Sequence, residues 1–255
     1  MKAVILAGGF GTRLSEETEV LPKPMIEIGG RPLLWHLMKL FATQGFSDFA
    51  VALGYKGVVI KRYFLHYPQL TGDLTVNLST GECRAQRQAQ EDWNIELVET
   101  GAESMTGGRL KRLKDRLTST FFFTYGDGLS NVDLKKLLAF HKSHGKLATV
   151  TAVQPPQRFG ILGLDGNRVK TFSEKPDGTT SYINGGFFVL EPEAIDYIVG
   201  DDTSWEREPC ERLAAEGQLH AYFHPGFWQC VDTLHELRLL RQMWETGKAP
   251  WKVWE

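Results

Sequence analysis

The chain has 255 residues, 42% of them hydrophobic and 24% charged, a composition that packs a core and excludes disorder, collagen and coiled coil. Lys plus Arg total 29 against 31 Asp plus Glu, so the net charge of −2 offers no global field for a polyanion, and nucleic acid is not an expected partner. Cys83, Cys210 and Cys230 form neither a CxxC pair nor a disulfide framework, and no run of about 18 apolar residues occurs; a cytoplasmic protein without a membrane span is expected.

Residues 3–7 read as a buried strand, continuous and apolar, that breaks into Gly8-Gly9. Pro32 suits a first helical turn; Leu33, Leu34, Leu37, Leu40 and Phe41 follow at helical spacing, and Gly45 marks the stop. Phe49 to Leu53 reads as a second buried strand, and residues 58–67 as a helix ended by Pro68. This strand–helix–strand–helix opening predicts parallel strands covered on both faces. Residues 68–94 lose the rhythm, and the polar run 84–92 reads as a loop or lid. Then come a strand at 95–98, a helix at 108–117, a strand at 120–125 landing on Gly126-Asp127-Gly128, a helix at 133–144 and a strand at 147–153. After Pro155-Pro156 the strands shorten, at 161–164, 168–173 and 182–190, followed by helices at 192–199 and 205–216 and an amphipathic helix at 234–244. No repeat and no long linker appear. The pattern predicts one mixed α/β domain, mostly parallel in its N-terminal half and antiparallel-rich in its C-terminal half.

The glycines after the first strand lie where open α/β sheets place ligands, and they let several backbone N–H groups approach one anion. Arg13 can fork onto phosphate oxygens, and Lys23 is held between Pro22 and Pro24. Position 14 is Leu, so the dinucleotide fingerprint fails, and no Gly-Lys-Ser/Thr follows, so the P-loop fails too. A loop for several phosphates with its own spacing remains. Other candidates carry bland readings of their own: Asp127 an Asx turn, Asp232 the N-cap of the last helix, Lys175 a solvated charge, Asn184 with Gly185 a strand bulge, Arg109 a first-turn helix residue. His36, His141 and His144 lack a third metal ligand and read as surface histidines. Trp244, Trp251 and Trp254 crowd the end of the chain, where a contact with another subunit of a homo-oligomer is expected.

The run Gly8-Gly9-Phe10-Gly11-Thr12-Arg13-Leu14, followed by Pro22-Lys23-Pro24, resembles the signature of the sugar-1-phosphate nucleotidylyltransferases. Gly54-Tyr55-Lys56-Gly57, Met105-Thr106-Gly107-Gly108-Arg109-Leu110, Tyr125-Gly126-Asp127-Gly128, Asn184-Gly185-Gly186-Phe187-Phe188 and His224-Pro225-Gly226-Phe227-Trp228-Gln229 extend the resemblance essentially end to end. It implies a single Rossmann-like, three-layer nucleotidyltransferase domain, similar to glycosyltransferase-A folds, with a mixed, mostly parallel sheet. Residues 1–153 would form the nucleotide-binding half, 154–232 the sugar-phosphate half and 233–255 a C-terminal helix and tail. The implied partners are CTP and glucose 1-phosphate, and the implied cofactor is Mg²⁺. Another nucleoside triphosphate or sugar, or a non-catalytic nucleotide-sugar-binding subunit, stays open as an alternative.

By the same resemblance, Arg13, Lys23 and Asp127 are catalytic, and Asp127 and Asp232 hold the metal. The nucleotide falls to Leu6, Ala7, Gly8, Gly9, Phe10, Gly11, Thr12, Arg13 and Lys23, with Ser104, Arg109 and Gly126. The sugar phosphate falls to Glu174, Lys175, Asn184 and Gly185. A sugar phosphate is mostly dianionic at pH 7, so no protein nucleophile or general base is needed; the task is to hold two anions together.

Overall fold

The computed structural model describes residues 1–9, 21–86, 91–155, 161–173 and 181–254. The apolar run at the amino terminus forms β1 (Lys2–Ala7), buried throughout from Ala3. A 3₁₀ turn at Lys23–Met25 and a small hairpin of β2 (Glu27–Ile28) and β3 (Arg31–Pro32) lead into α1 (Leu33–Thr43). Gly45, at φ +94°, lets the chain leave α1 in the left-handed region. β4 (Asp48–Leu53) and α2 (Gly57–Leu70) follow. Pro68 lies inside α2 and does not end it. So close to the carboxyl end, its missing N–H removes a single bond of the last turn.

Residues 73–86, where the rhythm is lost and whose last three residues belong to the run expected as a loop or lid, form a hairpin of β5 (Asp73–Asn77) and β6 (Glu82–Gln86), closed by Gly81 at φ +72°. β5 is exposed along its whole length, so burial imposed no apolar alternation that could announce it. Residues 87–90 of the polar run lie outside the described residues. The chain rejoins the main sheet at β7 (Asn94–Glu99). The helix expected over 108–117 is two pieces, α3 (Thr106–Lys111) and a 3₁₀ turn at Lys114–Arg116. β8 (Phe121–Tyr125) and the short β9 (Gly128–Ser130) precede α4 (Leu134–His144). The Asp133 carboxylate caps α4 by accepting from the Lys136 N–H at 2.9 Å.

β10 (Ala148–Val153) is followed by a separate hairpin of β11 (Ile161–Asp165) and β12 (Arg168–Ser173), then by β13 (Ile183–Leu190). A 3₁₀ segment at Pro192–Tyr197 replaces the expected helix 192–199, and α5 (Glu208–Ala215) is the core of the expected 205–216. β14 (Leu219–His224) and β15 (Trp228–Cys230) lead to α6 (Leu234–Glu245).

Seven strands form the central sheet in the order β14-β10-β13-β8-β1-β4-β7, and β13 alone runs against the rest. The fold is the expected single α/β domain with a mixed, mostly parallel sheet. Alternate side chains of β1 enter two different cores. Ala3, Ile5 and Ala7 meet Leu34, Leu37 and Phe41 of α1, while Val4 and Leu6 share the opposite core with Leu110, Phe123 and Trp205. Helices therefore cover both faces, and the carboxyl ends of the parallel strands stay open to a ligand.

One expectation is corrected by burial, and a second is narrowed. His36 and His141 are not on the surface: His36 is 0% exposed with Nε2 2.8 Å from the Ile28 carbonyl, and His141 is buried with Nδ1 2.8 Å from Thr149 Oγ1, while His144 is half-buried. Burial holds the His36 pKa down to about 4. The tail aromatics fold back on their own chain, with Trp251 0% exposed in a small core of Ile26, Leu33, Leu237 and Leu240. Trp251 thus needs no second subunit to bury it, while Trp244 and Trp254 remain half-buried. Among the described residues no helix is long and apolar enough to cross a membrane.

Candidate active site

β1 ends at Ala7, and the chain turns through Gly8 and Gly9. The Gly8 carbonyl accepts from the Tyr55 N–H at 3.2 Å and from Arg109 Nη2 at 2.9 Å. A Cβ at Gly8 would collide with the Arg109 guanidinium and the Gly54 backbone, so close packing demands glycine there. At Gly9 a Cβ would meet no atom of the described residues.

β8 lies parallel to β1, and the Gly126 N–H extends the ladder by donating to the Leu6 carbonyl at 2.9 Å. Asp127 follows at the mouth of the crevice. The antiparallel pair β9/β15 sets Cys230 opposite Gly128, and the Val231 N–H donates to the Asp127 carbonyl at 2.9 Å. This short ladder brings Asp232 beside Asp127. The expected N-cap duty of Asp232 belongs to Thr233, whose side chain and that of Glu236 form a capping box on α6. Glu236, 3% exposed, also accepts the Asp232 backbone N–H at 2.7 Å. The cap thus fixes the backbone and leaves the Asp232 carboxylate for the crevice.

Lys23 Nζ donates to Asp127 Oδ2 at 2.7 Å and to Asp232 Oδ1 at 2.6 Å. Burial alone would lower its pKa, but the two carboxylates outweigh that and raise it above the ordinary value. Two carboxylates that share one ammonium lie close enough to share one divalent cation. Their hard oxygen donors suit Mg²⁺, which commonly takes one or two carboxylates and fills its shell with phosphate oxygens and water. Among the described residues no third His, Cys, Asp or Glu joins them in a metal-holding group. The Cys230 thiol lies 3.7 Å from Asp232 Oδ2, and burial and the two acids push its pKa up to about 11, so it stays protonated at neutral pH.

A cavity of about 390 Å³ opens over these groups. Leu6, Ala7, Gly8, Gly9 and Lys23 line one side, and Asp127, Asp232, Ser104 and Arg109 also face it. Gly126 stands behind the wall, where a Cβ would press on the Leu6 carbonyl and Pro24. Arg109 differs from a solvent-facing ligand contact. It is 4% exposed; Nη1 donates to Leu53 O, Thr100 Oγ1 and Gly101 O, and Nη2 to Gly8 O and Ala102 O, at 2.6–3.1 Å. The guanidinium braces the glycine turn from beneath, and burial and Arg112 lower its pKa.

Asn184 and Gly185 lie on β13, one aromatic ring away from the cavity. Asn184 Oδ1 accepts from the Gly186 N–H at 2.8 Å, Trp228 Nε1 donates to Gly185 O at 2.7 Å, and Gly186, at φ +78°, packs against Tyr125. Phe10, Gly11, Thr12, Arg13, Glu174 and Lys175 lie outside the described residues. Sequence reasoning missed Glu103 and Tyr125 as cavity walls, along with Pro24, Met105 and Thr106. Pro24, Glu103, Met105 and Tyr125 each flank a residue singled out in the sequence, and Glu103, immediately before Ser104, carried no signal beyond that adjacency.

Comparison with known proteins adds an independent finding. The model of the nucleotidyl transferase family matches residues 2–242. The chain is 53% identical to the glucose-1-phosphate cytidylyltransferase of Salmonella typhi, over 100% of both chains. It is 46% identical to the probable glucose-1-phosphate cytidylyltransferase of Bacillus subtilis, again over 100% of both. Among solved structures, HddC from Yersinia pseudotuberculosis superposes with a TM-score of 0.70 at 23% identity, covering 95% of this chain and 99% of that one; this likeness is one of fold.

Proposed function

Because this chain belongs to the nucleotidyl transferase family, we propose that it carries out the reaction for which its full-length relatives are named, transfer of a cytidylyl group from CTP to α-D-glucose 1-phosphate. The products are CDP-glucose and pyrophosphate. The observation that carries the reading is 53% identity over the entire chain, and the cavity's chemistry agrees with it.

The sugar phosphate, with a second pKa near 6, arrives mostly as a dianion at pH 7. One of its oxygens attacks the α-phosphorus as the bond to the β-phosphate oxygen breaks, and pyrophosphate leaves in line. The backbone N–H groups of Gly8 and Gly9 and the ammonium of Lys23 are suited to receive the triphosphate and counter its charge as the anions approach. Arg13 follows in the same glycine-rich run, and we assign it to the leaving pyrophosphate. Asp127 and Asp232 would hold Mg²⁺, which supplies positive charge at the reacting phosphates when bound. We assign the sugar phosphate to Glu174, Lys175, Asn184 and Gly185, with residues 1–153 as the nucleotide half and 154–232 as the sugar half. Both substrates are charged metabolites of the cytoplasm, which is where we place the enzyme.

A pyrophosphate-release grid of CTP, UTP, dTTP and GTP against several sugar 1-phosphates, with and without Mg²⁺, tests the reading. CTP with glucose 1-phosphate and Mg²⁺ is expected to dominate. A different preferred pair, or no turnover in any cell of the grid, overturns it.

A further inference from the structure

The cavity is built for a polyanion, yet one of its walls presents a carboxylate. Glu103 lines it beside Ser104, and among the described residues no cation or N–H donor pairs with that side chain. The other two acids of the cavity, Asp127 and Asp232, both rest on Lys23. An unpaired carboxylate near a triphosphate site repels the ligand unless the ligand brings a hydrogen-bond donor to it.

The backbone around Glu103 is firmly placed. The Met105 N–H donates to Asp201 O at 2.8 Å, and Thr106 Oγ1 donates to Glu206 Oε2 at 2.7 Å while accepting the Trp205 N–H at 2.9 Å. Gly107 and Gly108 let α3 press onto the 201–205 backbone, where added Cβ atoms would clash. Glu103 therefore stands at the start of a pinned segment, exposed and facing the cavity mouth.

A nucleoside triphosphate offers such a donor at its base. Cytosine carries an amino group at C4, whereas uracil and thymine carry a carbonyl oxygen there. A carboxylate accepts only, so it attracts the first and repels the second. We infer that Glu103 reads the base, accepting a hydrogen bond from the 4-amino group of cytosine and disfavouring uridine and thymidine triphosphates. The inference rests on the cytidylyl-transfer reading above and names the residue that gives it base selectivity. Ser104 lines the same cavity, and its hydroxyl could donate to the neighbouring ring nitrogen.

The test measures kcat/KM for CTP and for UTP, at saturating glucose 1-phosphate, in the wild type, Glu103→Gln and Glu103→Ala. A hydrogen bond to a charged group corresponds to about a tenfold effect or more. The wild type is expected to prefer CTP. Both variants should lose about tenfold or more with CTP, and Glu103→Gln, which gains an N–H₂ donor for the uracil carbonyl, should narrow the CTP/UTP ratio most. A ratio unchanged within about twofold overturns the inference, as does an equal loss with both nucleotides, the mark of a contact to ribose. A wild type that prefers UTP to CTP overturns the cytidylyl reading itself and this inference with it.

Discussion

Replacing Arg109 by Met removes a charged fork that no carboxylate answers among the described residues and costs five acceptors one bond each, although Gly8 O keeps the Tyr55 N–H and Leu53 O keeps the Thr100 N–H and hydroxyl. The five are the carbonyls of Gly8, Leu53, Gly101 and Ala102 and the Thr100 hydroxyl. At about 1 kcal/mol net per bond the set amounts to about 5 kcal/mol. Gly101 and Ala102 lie near enough to solvent for water to take over their bonds, which brings the expected loss to about 3 kcal/mol. In urea, with a slope of about 2–3 kcal/mol/M, the unfolding midpoint should fall by about 1 M or more. The KM for CTP should rise as well, because the Gly8 turn loses its support. Arg109→Lys, with a point charge and fewer reachable acceptors, should recover only part of either quantity. A Met variant with less than about 1 kcal/mol of lost stability refutes the bracing role; if its KM nevertheless rises steeply, the guanidinium acts on the nucleotide itself.

Asp127→Asn should cut Mg²⁺-dependent turnover by about a hundredfold or more and weaken Mn²⁺ binding measured by paramagnetic resonance, while the urea midpoint stays near wild type; undiminished Mn²⁺ affinity would remove Asp127 from the metal site. The buried His36, with its pKa held to about 4 against 6.5 in the unfolded chain, makes stability depend on pH. Between those values the unfolded chain binds a proton that the native chain refuses, so stability falls as pH drops from about 6.5 toward 4. His36→Gln should flatten that decline in thermal melts, and an equally steep decline in the variant would contradict the assignment. Trp251→Ala should lose about 3–5 kcal/mol in urea without a change in mass by light scattering; a change in mass with intact stability would return Trp251 to a subunit interface.

Elements with a burial pattern could be recognised from the amino acids alone. β1 is an unbroken apolar run because both its faces are covered, and α1 shows its stripe between Pro32 and Gly45. β14 escaped notice because it is an edge strand of alternating partial exposure carrying His220 and His224, with no clean period. β9 and β15 have three residues each, too few to show any period, although they are what joins the two carboxylates. Asp127 stood out between its glycines. That it meets Asp232 across Lys23 was beyond local reasoning, since register over a hundred residues of separation is decided by the sheet. Arg109 illustrates the reverse failure: a charged residue reads as a surface or ligand group, and its interior role emerges only once five acceptors converge on it.

The β9/β15 ladder also bears on how the enzyme comes into being on the ribosome. Gly8, Gly9, Lys23 and Asp127 are all synthesised before α4, but Asp232, which follows β15, emerges about a hundred residues after Asp127. N-terminal structure can form early, yet a chain cut short before Asp232 would carry the glycine turn with only one of the two acids we assign to the metal. Termination before Asp232 should therefore yield an inert product, and catalytic competence should switch on only once that residue has been made.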